Sequence, residues 1–244
     1  MQMGNNHVTS PAFETRVDIV PPNGKVEDPV GLLFRAGATE SALITGDSAE
    51  VLSRLPTGVF QTCVTSPPYW SLRDYQIDGQ IGLEREVGDY IASLVRVCVE
   101  VRRVLRHDGT LWLNIGDSYT SGGRTWRAPD KKNPVRAMDI RPPTPEGLKP
   151  KDLIGVPWRL ALAMQEAGWY LRADVIWSKP NCQPESVRDR PTRSHEYVFL
   201  FSKDEQYHYD GSAARGPNGR NLRTVWEIPT QAFPGAHFAT FPPA

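Results

Sequence analysis

The sequence feature that most constrains this chain is a rigid corner, residues 65–70 (TSPPYW), which directly follows an apolar run over residues 59–64. The run predicts a buried strand, because a short apolar stretch bounded by turn residues is typical of strands in a sheet core. Pro67 and Pro68 each fix φ at roughly −65°, and Pro67 also forces Ser66 into an extended conformation. We therefore expect a strand that ends in a corner whose backbone is set before any ligand arrives.

The corner also combines hydrogen-bond acceptors with a flat aromatic face. Its prolines have no N–H, so their carbonyl oxygens lie as acceptors beside the Ser66 hydroxyl and the Tyr69 ring. This set of groups suits an exocyclic amine on a planar heterocycle. A polyproline ligand or a plain turn is the alternative interpretation of a Pro-Pro-Tyr stretch.

Ser66-Pro67-Pro68-Tyr69 resembles the catalytic tetrapeptide of DNA methyltransferases that modify an exocyclic amino nitrogen. These enzymes produce N4-methylcytosine or N6-methyladenine, and the Ser form followed by Tyr-Trp is similar to the cytosine-N4 branch. The resemblance implies that S-adenosylmethionine is the cofactor, that Ser66, Pro67, Pro68 and Tyr69 are catalytic, and that the target base is flipped out of the duplex. The absence of a Pro-Cys dipeptide argues against methylation at C5 of cytosine, where a cysteine must attack the ring.

The resemblance covers residues 42–244, and the order of its motifs is similar to the circularly permuted class, in which the catalytic corner precedes the cofactor-binding segment. The residues that it implies for cofactor binding are Asp47, Thr65, Phe238, Ala239 and Thr240. In that class a terminal run like residues 237–243 leads into a helix and then a strand with a Gly-rich cofactor loop, which this sequence lacks. The chain resembles the front part of such an enzyme, and we expect a truncation, a degraded gene, or one piece of a split enzyme whose complementing C-terminal segment carries the loop.

Composition bounds the class of protein and its partners. The 244 residues are 39% hydrophobic, enough for a sizeable core, and the formal net charge is +0. Contact with nucleic acid must therefore come from local basic stretches rather than from a global positive field. The 3 cysteines are widely spaced and form no CxxC pattern, so we expect a reducing cytoplasm and no metal site. Because no secretory segment and no apolar run of about 18 residues occurs, we expect no membrane span.

Apolar periodicity predicts an α/β protein. Strands are expected at residues 42–45, 59–64, 109–115, 169–177, 195–201 and 224–228, and helices at 47–52, 91–105 and 157–167. Asp47, followed three residues later by Glu50, is typical of a helix N-cap. The resemblance implies a Rossmann-like methyltransferase sheet that is incomplete and mostly parallel, with an antiparallel hairpin at one edge formed by the two strands between 169 and 201. We expect a loosely ordered arm over residues 1–30 and a catalytic domain over residues 31–244.

Long basic segments are the expected DNA contacts. Residues 121–151 hold eight Lys or Arg against three acids, together with six prolines, a composition that cannot form a core. We expect this insertion loop, residues 120–151, to order on DNA phosphates, with a solvated charged loop as the alternative. Base readout is expected here and in residues 180–193. The predicted DNA-binding residues are Trp70, Arg73, Arg124, Lys131, Lys132, Arg136 and Arg190.

The leading hypothesis is a site-specific cytosine-N4 DNA methyltransferase of restriction-modification or phage type, which acts on double-stranded DNA. N6-adenine specificity is the near alternative, and a non-catalytic DNA-binding fragment or half of a split methyltransferase is the alternative from another class. His195 and Glu196 are not expected to act as an acid and base pair, because neighbours in a strand point to opposite faces.

Overall fold

The computed structural model describes residues 17–20, 41–44, 46–120, 142–213, 215–216 and 218–231. The chain divides into two units, of which the first ends at Pro56 and the second begins at Thr57. This boundary differs from the predicted one after residue 30, because the segment up to Pro56 contains paired strands of its own.

The first unit contains two short parallel strands, β1 (Val17–Val20) and β2 (Ser41–Ile44), and the helix α1 (Ser48–Ser53). The strand and the helix predicted at 42–45 and 47–52 are confirmed within a residue or two. β1 lies inside the segment of residues 1–30 that was predicted to be a loosely ordered arm, and the rest of that segment lies outside the described residues. Four residues between prolines are too short to show a strand period, so only pairing with β2 reveals β1.

The second unit is built on a five-stranded sheet, and its described elements in chain order are β3 (Phe60–Thr65), α2 (Val87–Val104), β4 (Leu105–Ile115), α3 (Val156–Glu166), β5 (Tyr170–Ser178), β6 (His195–Ser202) and β7 (Val225–Glu227). The spatial order is β3-β4-β6-β5-β7. β3 pairs with β4 and β5 pairs with β7 in parallel, whereas β6 runs antiparallel to both of its neighbours. The predicted mixed, mostly parallel α/β sheet is confirmed.

The antiparallel hairpin of β5 and β6 forms as predicted, but it does not end the sheet. β6 lies between β4 and β5, and the short strand β7 pairs with the outer side of β5. Phe199 and Phe201 of β6 are fully buried, and Leu200 between them is also buried. Its interior position pairs both backbone edges of β6 with neighbouring strands, and its side chains alternate between the two faces of the sheet.

One face of the sheet is covered by helices. α2 packs against α3, and Trp158 of α3 makes edge contacts with the rings of Tyr197 and Phe199 at 5.9 and 5.3 Å between centroids. α2 begins at Val87, earlier than the predicted residue 91, because Val87 and the fully buried Tyr90 continue its apolar stripe. This face holds the main core of the unit.

The opposite face carries apolar side chains that α2 and α3 do not cover. Val198 points to it, since it alternates with Tyr197 and Phe199 along β6. A cavity of about 320 Å³ lies here, and its lining residues are Val64, Trp112, Asn114, Trp177, Val198, Trp226 and Ile228. Val64 is 64% exposed, a high value for a strand residue beside three tryptophans. Among the helices described, none has the length and apolar character to cross a membrane.

Candidate active site

The corner lies at the carboxyl end of β3. Thr65 is the last residue of β3 and pairs with Leu113 of the parallel strand β4, so both strands end at the same edge of the sheet. Ile115 at the end of β4 pairs with Tyr197 near the start of the antiparallel strand β6. The register therefore brings the corner, the end of β4 and the start of β6 together, at the edge where α/β sheets commonly bind ligands.

The hydroxyl of Tyr69 lies at the centre of this assembly. It donates a hydrogen bond to Glu196 Oε2 at 2.8 Å, and Asn114 Oδ1 lies 3.2 Å away as a second acceptor. The Ser66 hydroxyl lies 3.5 Å from the hydroxyl oxygen of Tyr69. Burial, together with the negative charge of Glu196, raises the pKa of Tyr69 well above its ordinary value. Tyr69 is therefore a neutral phenol that donates its proton to the carboxylate.

The acceptors of Tyr69 are themselves held in place. Glu196 Oε1 forms an ion pair with Lys179 Nζ at 2.5 Å, and Lys179 lies over the Trp177 ring at 4.2 Å from its centroid. The side-chain amide of Asn114 donates to the backbone carbonyl of Tyr197 at 3.1 Å, which turns its oxygen toward Tyr69. The network thus connects the corner to β4, β5 and β6.

Gly116 forms a floor for the Tyr69 ring. A Cβ at this position would lie 2.7 Å from Tyr69 Cε2 and 3.3 Å from Cδ2, and the first of these distances is shorter than packed side chains tolerate. The ring can approach the backbone this closely only because the residue is glycine.

The proline carbonyls are not equivalent. Tyr90 Oη donates to the Pro68 carbonyl at 2.8 Å, and burial raises the pKa of the Tyr90 hydroxyl. The Pro68 carbonyl thus has one hydrogen-bond partner within the protein, because the fully buried Tyr90 needs an acceptor for its hydroxyl and finds it there. This hydrogen bond joins the corner to α2.

Trp70 was predicted to contact DNA, and the structure places it in the core instead. Its side chain is 3% exposed, and its Nε1 donates to the Glu84 carbonyl at 2.9 Å. The following segment carries further local hydrogen bonds: Gln80 donates to the Arg73 carbonyl at 3.0 Å and accepts from the Tyr75 N–H at 2.6 Å. A tryptophan beside a corner is compatible with either role from sequence, and here its large apolar surface is buried.

A second group of contacts joins the end of β4 to the start of α3. The carboxylate of Asp117 accepts from the backbone N–H groups of Gly155 and Val156, both at 3.0 Å, and Arg193 Nη1 lies 3.9 Å away. Gly155 is the N-cap of α3 and has no side chain to cap it. Asp117 therefore supplies the cap from a distant part of the chain, where a carboxylate is favoured by the helix dipole.

Beside the corner lies a cavity of about 240 Å³ with basic and aromatic groups at its border. Its lining residues include Trp70, Asp117, Tyr119, Pro142, Glu185 and Arg193. Arg190 lies over the Tyr119 ring at 3.8 Å from its centroid and donates to Glu185 Oε2 at 2.5 Å. Arg190 is thus held within the protein by stacking and by an ion pair.

The remaining predicted site residues are placed as follows. Asp47 is the N-cap of α1, and its exposed carboxylate accepts the Glu50 N–H at 2.9 Å. Thr65 and Arg73 are half-buried. The predicted residues Arg124, Lys131, Lys132, Arg136, Phe238, Ala239 and Thr240 lie outside the described residues.

Sequence reasoning missed the residues that surround the corner: Asn114, Gly116, Asp117, Lys179 and Glu196. Glu196 was considered only with His195, and the structure turns it toward Tyr69 and Lys179 instead. The one available signal was a carboxylate on an otherwise apolar strand, which needs a buried partner.

Comparison with known proteins identifies the class. The fold is similar to that of the PvuII DNA methyltransferase (cytosine-N4-specific), with a TM-score of 0.54 and 18% identity over 79% of this chain and 58% of that structure. A Thermus thermophilus protein solved in complex with S-adenosyl-L-methionine gives a TM-score of 0.51 and 22% identity, over 77% of this chain and 66% of that one. The fold is therefore that of an α/β methyltransferase.

Sequence comparison then gives the family. The profile of a DNA methylase family (N6_N4_Mtase) matches residues 60–244. The chain is 62% identical over 208 residues to the Type II methyltransferase M.SmaI of Serratia marcescens, in an alignment that covers 83% of this chain and 71% of the relative. This chain belongs to the DNA methylase family.

Proposed function

We propose that the chain transfers a methyl group from S-adenosylmethionine to an exocyclic amino nitrogen of double-stranded DNA, with N4 of cytosine as the target. The observation that carries the proposal is the corner at the end of β3, where the exposed Ser66 lies with its hydroxyl 3.5 Å from that of Tyr69, whose ring is fixed through this hydroxyl. The fold similarity to a methyltransferase named as cytosine-N4-specific supports cytosine. The naming of the Serratia relative as a Type II methyltransferase supports a role in restriction-modification.

Methylation of an amine requires position and charge stabilisation rather than a covalent intermediate. The cofactor, when bound, supplies an electrophilic methyl group. Ser66 Oγ and the Pro67 carbonyl accept hydrogen bonds from the amine, which orients its lone pair and stabilises the positive charge that develops on nitrogen. Tyr69 stacks on the flipped base. Burial raises the pKa of Cys63 and raises that of Cys98 to about 12, so neither thiol is an ionised nucleophile at neutral pH.

For cofactor binding the proposed residues among those described are Asp47 and Thr65. Asp47 uses one carboxylate oxygen as a helix cap and is exposed, so it retains acceptor capacity for ribose hydroxyls. Thr65 ends β3 directly before the corner. Phe238, Ala239 and Thr240 are included on sequence grounds alone.

We also propose that the sheet face opposite α2 and α3, together with the outer edge of β3, receives a complementing segment that carries the Gly-rich cofactor loop. In the described sheet β3 pairs only with β4, so its other edge offers N–H and C=O groups for a further strand. The exposed Val64 and the cavity lined by Trp112, Trp177 and Trp226 offer an apolar surface for a helix.

Calorimetric titration with S-adenosylmethionine tests this second proposal. We expect weak or undetectable binding by the chain alone, and clear binding after addition of a segment that carries a Gly-rich cofactor loop. Low-micromolar binding by the chain alone would show that it builds a complete cofactor site by another route.

DNA contacts are proposed for Arg190 and for the basic loop residues Arg124, Lys131, Lys132 and Arg136. Replacing the four loop residues together with Gln should flatten the dependence of DNA affinity on salt, by roughly 0.9 in the logarithmic slope for each phosphate interaction that the substitutions remove. An unchanged slope would make the insertion loop a solvated surface.

Nucleoside analysis of DNA incubated with S-adenosylmethionine and the protein, complemented by the segment that carries the cofactor loop, tests the reaction itself. We expect N4-methylcytosine, whereas N6-methyladenine would select the alternative target and C5-methylcytosine would contradict the mechanism. Ser66→Ala should lower kcat more than DNA affinity, because the contact strengthens as charge develops on nitrogen. DNA binding without any methylated product, even with the complementing segment, would favour a non-catalytic DNA-binding fragment.

A further inference from the structure

We propose that Glu196 is a positioning residue for the methyl transfer, which acts by holding the hydroxyl of Tyr69 and thereby fixing the ring that stacks on the target base. This inference rests on the proposed function. Glu196 lies on β6, and its carboxylate accepts a hydrogen bond from the hydroxyl of Tyr69 at the corner.

Both oxygens of Glu196 are engaged in the arrangement. Oε2 accepts from the Tyr69 hydroxyl at 2.8 Å, and Oε1 faces Lys179 Nζ at 2.5 Å. The side chains of Glu196 and Lys179 are 22% and 16% exposed, so water screens the pair only in part. Lys179 is held in turn by the Trp177 ring. The carboxylate is therefore a fixed, charged acceptor, and hydrogen bonds to such groups are stronger than those between neutral partners.

The hydroxyl anchor and the Gly116 floor restrict different motions of Tyr69. The hydroxyl oxygen lies on the axis about which the ring rotates, so its hydrogen bond to Glu196 fixes the direction of that axis. Contact with Gly116, where a Cβ would come within 2.7 Å of the ring, fixes the plane of the ring. Together the two contacts define one orientation of the ring. Because the ring is already ordered in the folded protein, binding of the base does not have to order it.

The role predicts a particular pattern among variants. Tyr69→Phe keeps the ring and the ion pair but removes the anchor, and Glu196→Gln keeps the shape but removes the charge. Assayed in the complemented protein, each should lower kcat by about tenfold or more with a change in KM for DNA of less than about threefold, because an aligned ring matters most in the transition state. The double variant should lose no more than the worse single variant, since both changes break the same contact.

Glu100→Gln is the matched control. Glu100 forms an ion pair with Arg103 on α2, and its side chain is 26% exposed, a fraction similar to that of Glu196. It lies on a helix and is not part of the corner network. Its kcat should stay within about twofold of the unchanged protein, as expected for a partly exposed pair. Full additivity of Tyr69→Phe and Glu196→Gln, or an equal loss in Glu100→Gln, would overturn the inference.

A measurement without DNA separates this inference from the proposed function. The chain labelled with 3-fluorotyrosine has 8 tyrosines, and Tyr69→Phe removes the fluorine NMR line of Tyr69 and so assigns it. Glu196→Gln should shift and broaden that line, whereas Glu100→Gln should not. An unmoved line means that Glu196 does not hold Tyr69, even if the protein methylates amines. A shifted line in a protein that yields no methylated amine refutes the proposed function, and leaves a structural contact without a positioning role.

Discussion

The corner around Tyr69 and the loop around Arg190 use polar contacts in contrasting ways. At the corner the contacts are partly buried and join separate elements: Tyr69 to Glu196 of β6, and Tyr90 of α2 to the Pro68 carbonyl. In the loop of residues 185–193 the contacts are local or exposed: Arg190 pairs with Glu185, five residues away in sequence, and Asp189 pairs with Lys151 at the surface. The corner is therefore set by the fold, whereas the loop is set by ion pairs that solvent screens.

The difference indicates how the two regions meet DNA. The hydrogen bond from Arg190 lowers the pKa of the Glu185 carboxyl, and that from Lys151 lowers the pKa of Asp189, so both carboxylates stay ionised and compete with phosphate for these cations. A phosphate must displace them, which reduces the net gain from each contact. The corner has no such competition, because its anchors point into the protein and leave Ser66 exposed.

The largest effect is expected from Tyr69→Ala, which removes the stacking face as well as the anchor. Stacking on one base is worth on the order of 1 to 3 kcal/mol, so kcat/KM should fall by roughly ten- to a hundredfold, and further through loss of the aligned ring. Steady-state methylation kinetics measure this loss, with Tyr69→Phe as the variant that keeps the ring. Equal activity in the Ala and Phe variants would show that the corner is only a rigid turn.

Gly116→Ala tests whether packing within the fold sets the position of Tyr69 at the corner. The added Cβ meets the Tyr69 ring at 2.7 Å, and overpacking of this kind costs about 1 to 3 kcal/mol of unfolding free energy. We expect lower stability in urea unfolding and reduced methylation. Gly88→Ala in α2 is the control: a Cβ there has no neighbour within 4 Å, so it should be neutral or stabilising by about 0.4 to 1 kcal/mol. Equal stability of the two variants would mean that the ring can move away from the backbone.

The elements and the corner were predictable because their signals are local. Short apolar runs and a helical stripe predicted the strands and helices of the second unit, and the Ser-Pro-Pro-Tyr stretch predicted the rigid turn that follows β3. Glu196 and Asn114 were not predictable, since they reach Tyr69 only through the pairing of β4 with β6, 127 and 45 residues from Tyr69 along the chain. The same holds for Pro68, whose carbonyl is engaged by Tyr90 of a separate helix.

Arg190→Gln in the loop should have a smaller effect than the corner variants, and this effect should appear in DNA binding. If Arg190 contacts one phosphate, the logarithmic salt dependence of DNA affinity should flatten by roughly 0.9. The loss of affinity itself should be modest, because Glu185 and the Tyr119 ring already hold the guanidinium. Fluorescence anisotropy over a range of salt concentrations measures both. Arg103→Gln, which removes an ion-paired cation on α2, is the control, and the same slope in both variants would argue against a specific contact by Arg190.

The smallest effect is expected from His195, which lies between the two regions and is influenced by both. Burial lowers the pKa of its imidazole, the charge of Arg193 from the loop lowers it further, and Glu196 at the corner raises it. Because the folded protein favours the neutral ring, the unfolded chain binds more protons than the folded one at and below the ordinary His pKa of about 6.5. Stability should therefore be complete above this value and decrease as the pH falls through it.

His195→Gln should flatten the pH dependence of the unfolding free energy between about pH 7 and pH 5.5, where Glu185 and Asp189 with their lowered pKa values remain ionised. Urea unfolding at several pH values measures the slope. Arg193→Gln should make the slope shallower, because it removes a charge that disfavours the imidazolium, and Glu196→Gln should make it steeper. If the two variants shift the slope in the same direction, His195 does not sense the loop and the corner as opposing charges, and the acid sensitivity has another origin.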